Sequence, residues 1–200
     1  QTFDQILSDI APFVEDGYKI YLTGHSLGAA LASLLAFKLA GKNSFELDDG
    51  KKIAIPKPIT CISFASPKVG GRSFQDAFKR LEQDFKQLEQ DRLIRYLRIT
   101  NNKDLVPTIP PFAPALRTGW YYHVGIHLKL FNKDGNFTIS YAGDGSQEYS
   151  VLGTAFGDNH SIKLHEDRMN SSKSELSTMT IDGIYQNETI VESLSGRDEL

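Results

Sequence analysis

The run Tyr18-Lys19-Ile20-Tyr21-Leu22-Thr23, the pentapeptide Gly24-His25-Ser26-Leu27-Gly28 and the small-residue stretch Ala29 to Ala40 constrain this chain more than anything else in it. The first segment reads as a strand and the last as a helix. The chain must therefore pass from strand to helix inside a G-x-S-x-G turn, a strained elbow that lifts the serine hydroxyl out at the end of a sheet. Glycine is expected at positions 24 and 28 because a side chain at either would meet the neighbouring backbone. Strand, sharp turn and helix imply an α/β architecture with Ser26 as the leading nucleophile candidate.

Composition narrows the setting. Two hundred residues, 40% hydrophobic and 24% charged, supply one domain with a core. A formal charge of -3 argues against nucleic acid as a partner, a role that shows as a basic stripe. The apolar stretch after Ser26 spans about a dozen residues, too few for a membrane span. It also carries Lys38, and reads as a buried core helix. The single Cys61 lies in the apolar run Ile59-Thr60-Cys61-Ile62-Ser63-Phe64 and reads as a buried thiol.

Along the chain, Phe3 to Ala11 reads as a helix and the Gly-, Asp-, Lys- and Pro-rich stretch from Gly41 to Lys57 as a connecting loop. Ile59 to Phe64 is nearly continuous in apolar character, the mark of a buried strand. From Arg72 to about Asp91, Phe74, Phe78, Leu81, Phe85 and Leu88 recur at steps of three and four, giving an amphipathic helix. Leu93 to Thr100 reads as a strand that opens into a loop at Asn101-Asn102-Lys103-Asp104, stiffened by Pro107, Pro110, Pro111 and Pro114. Val124 to Phe131 and Phe137 to Tyr141 form strands around an Asp-Gly hairpin turn. Beyond Met169 few large apolar residues remain, which predicts a loosely attached polar tail.

Both ends carry expectations. A doubly wound sheet places its nucleophile strand centrally, between parallel neighbours built by earlier βα units. Only one helix-like stretch precedes the elbow strand, so the chain reads as the C-terminal portion of a longer one whose N-terminal strands are missing. It closes on Arg197-Asp198-Glu199-Leu200, one residue from the endoplasmic reticulum retention signal. Sequons at Asn136-Phe137-Thr138, Asn170-Ser171-Ser172 and Asn187-Glu188-Thr189 agree with a secretory route to the endoplasmic reticulum lumen.

A serine hydroxyl needs a base within hydrogen-bond reach, and the base needs a carboxylate to hold its tautomer. In hydrolases built around such an elbow the chain order is Ser, Asp or Glu, then His. Asp104, just past a strand end, fits the acid; a turn aspartate beside two asparagines is the plain alternative. Of five histidines, His25 cannot fold back onto its neighbour's Oγ and is assigned to local packing. His123 and His127, four apart on one strand and so on one face, are read as structural. His160, in Gly157-Asp158-Asn159-His160-Ser161, follows Asp104 in the required order and is the base candidate, with His165 in reserve. The backbone N–H of Leu27, at the start of the helix, is the expected oxyanion donor. No Cys/His cluster or phosphate-binding glycine loop calls for a metal or an organic cofactor.

Four segments together resemble the class 3 lipases, the fungal-type and plant-type triacylglycerol lipases of the α/β-hydrolase fold: Gly24 to Ala32, Phe64 to Gly70, Arg98 to Pro107 with Pro110-Pro111, and Tyr122-His123-Val124-Gly125. The resemblance implies a mostly parallel sheet with flanking helices, with Ser26 as nucleophile, Asp104 as acid and His160 as base. It places His123 in a structural His-Val-Gly element. It also implies a second oxyanion donor and a lid upstream of the elbow, outside this chain. Residues 1–168 then form a partial lipase-like domain and 169–200 a polar tail. The implied substrate is an acylglycerol or other lipid ester, met through transient contact with a membrane or lipid-droplet surface. A catalytically inactive lipid-binding module and an acyltransferase are the alternatives on the same scaffold.

Overall fold

Five strands make the sheet that carries the site, in the order β1-β4-β5-β6-β7. They are β1 (Tyr21–His25), β4 (Ile59–Phe64), β5 (Ile94–Asn101), β6 (Ile126–Leu130) and β7 (Phe137–Tyr141). The first four run parallel and β7 returns antiparallel along β6. The computed structural model describes residues 2–83, 92–110, 121–131, 135–142, 158–187 and 190. The α/β-hydrolase-type architecture expected from the elbow, a mostly parallel sheet with flanking helices, is the one observed. Among the described strands β1, which carries the elbow, lies at an edge.

Side-chain alternation along the strands divides the core between the two faces of the sheet. Ile59, Cys61, Ile94 and Tyr96 face a cluster with α1 (Phe3–Glu15), α2 (Leu27–Ala40) and α3 (Arg72–Glu82), to which these helices contribute Leu7, Ala11, Ala32, Ala36, Leu39 and Phe78. Ile62, Phe64, Leu97 and Ile99 face the other way, onto Ile126, Leu128, Leu130, Tyr141, Tyr185 and Ile190. The second cluster is completed by helices α4 (Ile162–Ser171), α5 (Lys173–Leu176) and α6 (Ile181–Tyr185).

Several elements differ from the sequence expectation. The stretch Gly41 to Lys57 contains an antiparallel hairpin, β2 (Ser44–Glu46) with β3 (Lys52–Ala54), because alternation around Phe45 and Ile53 buries one apolar face even in a polar, glycine-rich segment. Helix α2 is not buried all round. Ala29, Ala32, Ser33 and Ala36 pack on the sheet, while Leu27, Leu31 and Leu34 are exposed among the described residues. Its small residues lie on the inner face, where they permit close approach to β1 and β4. His123 precedes β6 and is separated from it by Gly125, in the left-handed region at φ 74°, so it does not share a strand face with His127.

The segment beyond Met169, expected to be a loose tail, is largely helical where described and is anchored by a few buried side chains. Helix α4 runs across residue 169 without a break, and Tyr185 and Ile190 are each 2% exposed. The segment has few large apolar residues, but they converge on one face of the sheet. The expected continuation of α3 from 84 to 91, Pro111 and Pro114, the hairpin turn at 132–134, Gly157, part of the third sequon and the terminal 197–200 lie outside the described residues.

Candidate active site

Ser26 stands between β1 and α2 with φ 58° and ψ -126°, a left-handed backbone that a non-glycine residue adopts at a cost of about 1–3 kcal/mol. The turn is held from both sides. The Ser26 amide donates to Phe64 O on the adjacent strand at 3.0 Å, and Ser26 O accepts from Ala29 and Ala30, opening the helix. A serine at a helix N-cap ordinarily turns its hydroxyl onto the first-turn amides. Here Oγ makes no capping bond and lies 2.8 Å from His160 Nε2.

Close packing at the elbow explains Gly24. A Cβ there would fall on the Gly28 carbonyl group and 2.7 Å from the Ala29 nitrogen. Gly28 differs from expectation, since a Cβ on it meets nothing within 4 Å among the described residues. The first position faces into the turn and the second faces out of it.

The other side of His160 meets Asp104. His160 Nδ1 lies 3.2 and 3.1 Å from Asp104 Oδ1 and Oδ2, and the Asp104 side chain is fully buried. Asp104 is reached at the C-terminal end of β5, where its amide donates to Asn101 O and its Oδ1 accepts from Val106 N at 3.0 Å. That short-range bond fixes the carboxylate before the base approaches. His160 closes a single 3-10 turn, Asp158–His160, whose carbonyl at Asn159 accepts from the Asn101 side chain at 3.0 Å. The structure thus brings together Ser26, Asp104 and His160 from three distant segments. Leu27 opens α2, so its N–H has no acceptor within the helix and is available beside Ser26.

The remaining histidines occupy other places. His25 packs its ring against that of His160, centroids 4.6 Å apart, and against His165 at 5.8 Å. Burial, then the neighbouring His160, holds His25 below the usual imidazole value. His165 is 1% exposed, with Nδ1 beside the Asn101 amide and Ser161 O, and burial lowers its pKa also. His123 Nε2 donates to Pro107 O at 2.6 Å, pinning the loop after Asp104, and His127 Nε2 bonds Thr100 Oγ1 at 2.7 Å. Both are pushed well below the ordinary range, by burial first and by Arg98 second, so they are neutral posts in the scaffold.

With this geometry in place, comparison with known proteins is direct. The family described as Lipase (class 3) matches residues 1–113, a span that holds Ser26 and Asp104 and stops short of His160. The chain belongs to the class 3 lipase family. Its relatives include phospholipase A1-II 6 of Oryza sativa subsp. japonica, 35% identical over 131 residues, covering 64% of this chain and 28% of that protein. Phospholipase A1-II 2 of Oryza sativa subsp. indica is 32% identical over 175 residues, covering 82% of this chain and 39% of that protein. The chain spans less than half the length of these curated relatives. A solved structure of Rhizomucor miehei triacylglyceride lipase superposes with a TM-score of 0.53 at 20% identity, over 82% of this chain and 52% of that one, and shows the shared fold.

Sequence reasoning on this class 3 lipase chain missed the residues that support the base. Asn101 was legible only as a turn former, and Asn159 and Arg168 carried no signal. In the structure Arg168 donates to Asn159 Oδ1 at 3.3 Å and to Leu130 O at 3.4 Å, fastening the base-bearing turn to β6. Among the described residues no group of His, Cys, Asp or Glu could hold a metal ion.

Proposed function

We propose that the protein carrying this chain hydrolyses carboxylic esters of glycerolipids through an acyl-Ser26 intermediate. The observation that carries the reading is His160 Nε2 at 2.8 Å from Ser26 Oγ, with Asp104 at 3.1 Å behind Nδ1. His160 takes the hydroxyl proton as Oγ forms its bond to the ester carbonyl carbon. Asp104 holds the Nδ1–H tautomer and offsets the imidazolium charge. The oxyanion faces the Leu27 N–H, aided by the helix N-terminus. Collapse breaks the ester C–O bond and the leaving alcohol departs with the proton from His160. Water then gives its proton to His160, attacks the acyl carbon and releases the fatty acid, and the proton returns to Ser26.

The names of the rice relatives, phospholipases A1, favour a phospholipid over a triacylglycerol as the ester presented. Contact with a lipid surface belongs to the same proposal, since such esters are presented at one. Passage through the secretory route is proposed from the sequons at Asn136, Asn170 and Asn187; electrophoretic mobility unchanged by glycosidase treatment removes it.

The test is labelling of the full-length protein with a serine-reactive fluorophosphonate, followed by fatty-acid release from phosphatidylcholine and from triolein. The parent is expected to label and turn over, with phosphatidylcholine the better substrate, and Ser26→Ala to do neither. Equal labelling of Ser26→Ala, or a folded parent that binds lipid without turnover, overturns the reading. Transfer of the acyl group to an added alcohol in preference to water would make it an acyltransferase.

A further inference from the structure

We propose that Asn101 is a positioning residue of the reaction, setting the acid and base against each other from a single side chain and its own carbonyl. The inference rests on the acyl-serine reading. Asn101 is the last residue of β5 and is 2% exposed. Its backbone oxygen accepts the Asp104 amide at 3.2 Å, which shapes the turn presenting the carboxylate. Its carboxamide nitrogen donates to Asn159 O, the carbonyl immediately before His160, at 3.0 Å. The same nitrogen lies 2.9 Å from His165 Nδ1. The residue therefore touches the acid-bearing turn with its main chain and the base-bearing turn with its side chain.

The orientation of that carboxamide is dictated by its partners. The Asn159 carbonyl only accepts, so it takes the amide end of the carboxamide; His165 Nδ1, 2.9 Å from the same nitrogen, also faces the Ser161 carbonyl at 3.1 Å. Turning the group over would set its oxygen against the Asn159 carbonyl oxygen. Asn101 Oδ1 is buried with no hydrogen-bond partner among the described residues. A buried acceptor left unpaired works against stability, and such groups concentrate where function requires the other half of the side chain. Asn101 fits that description, because its amide end holds the turn that bears His160 and its acceptor has no partner among the described residues.

A tie of this kind acts on orientation. His160 can reach Ser26 only while its 3-10 turn keeps its distance from the Asp104 turn, and misplacement by about 1 Å costs on the order of a hundredfold in rate. Asn101→Asp keeps the shape and removes both donors; Asn101→Ser keeps neutrality and removes the reach. Tyr185→Phe, which perturbs the opposite end of the core, serves as a control of reduced stability with the site intact.

The experiment measures fluorophosphonate labelling rate, kcat and KM on a soluble short-chain ester, and thermal midpoint, for the full-length protein and each variant. Both Asn101 variants are expected to lose about 10- to 100-fold in labelling rate and in kcat, with KM within about twofold. Tyr185→Phe is expected to lower the thermal midpoint with labelling near the parental rate. Parental labelling by both Asn101 variants overturns the proposal. So does a loss no larger than that of Tyr185→Phe, and so does failure of both to fold, which makes Asn101 a residue of the fold. A parent that does not label, or labels equally as Ser26→Ala, removes the acyl-serine reading instead.

Discussion

The Tyr185 hydroxyl donates to Glu82 Oε1 at 2.6 Å across 103 residues of chain. The other carboxylate oxygen accepts from Tyr141 at 2.6 Å, and the Tyr185 oxygen in turn accepts the Tyr96 amide at 2.9 Å. One buried carboxylate thus joins the end of α3, strand β7 and helix α6 to the centre of the sheet. It is what fastens the C-terminal helices that composition alone left loose.

Removing the Tyr185 hydroxyl leaves a buried carboxylate oxygen without its donor and the Tyr96 amide without its acceptor. Tyr185→Phe is expected to cost about 2 to 6 kcal/mol, since each of the two unsatisfied buried groups costs about 1–3. Urea unfolding followed by far-UV circular dichroism measures it. A change under about 0.5 kcal/mol contradicts the assigned role of the network.

Burial pushes Glu82 up to about 7 against the two tyrosine donors. Between the unfolded carboxyl value of 4.5 and that folded value, the native state holds a proton that the unfolded chain has released. Stability from this group is therefore fully present below 4.5 and is lost as pH rises to about 7. Glu82→Gln should remove that slope, with the difference between parent and variant shifting by about 3 kcal/mol across the window. Urea midpoints at successive pH values decide it, and a parent curve parallel to that of the variant refutes it.

Four histidines act in the opposite sense. His25, His123, His127 and His165 are all held below the ordinary imidazole value, burial being the largest cause for each. Below about pH 6.5 the unfolded chain binds protons at these positions that the folded chain excludes, so their contribution is present above that pH and is lost as pH falls. They act against Glu82 over the same range of pH. The thermal midpoint of the full-length protein is expected to be lower at pH 5 than at pH 7; the reverse order would assign control of acid stability to Glu82.

The two elbow glycines should respond differently to the same substitution. Gly24→Ala drives a Cβ into the Gly28 carbonyl and should cost 3 kcal/mol or more, since overpacking against immobile backbone exceeds the usual range of about 1–3. Gly28→Ala meets open space in a helix and should stabilise by a few tenths to about 1 kcal/mol. Thermal denaturation of both variants tests this, and equal effects would refute the asymmetry.

Asp104→Asn preserves shape and the bond from Val106 N, and replaces an acceptor facing His160 Nδ1 by a carboxamide. The imidazole then loses the partner that selects its tautomer. A loss in kcat of about 10³ to 10⁴ is expected, with little change in KM or thermal midpoint. Activity within tenfold of the parent would remove Asp104 from the acid role.

The sequence by itself determined what local geometry and short-range sterics dictate. A strand, a G-x-S-x-G turn and a small-residue helix can be arranged in few ways, so Ser26, its elbow and the α/β class were legible at once. Asp104 was legible for a related reason, because a strand ending in Asn-Asn-Lys-Asp before a series of prolines presents its loop at the sheet edge. Chain order then pointed to His160. The tertiary structure decided which partners meet across long separations: His160 reaching Ser26 over 134 residues, Asn101 clasping Asn159, Glu82 gathering two tyrosines. These bonds leave no periodicity or spacing in the chain, since each depends on where separate elements pack and not on what either element is. The inward turn of Gly24, the open face of Gly28 and the burial of Tyr185 belong to the same class, and only the folded arrangement fixes them.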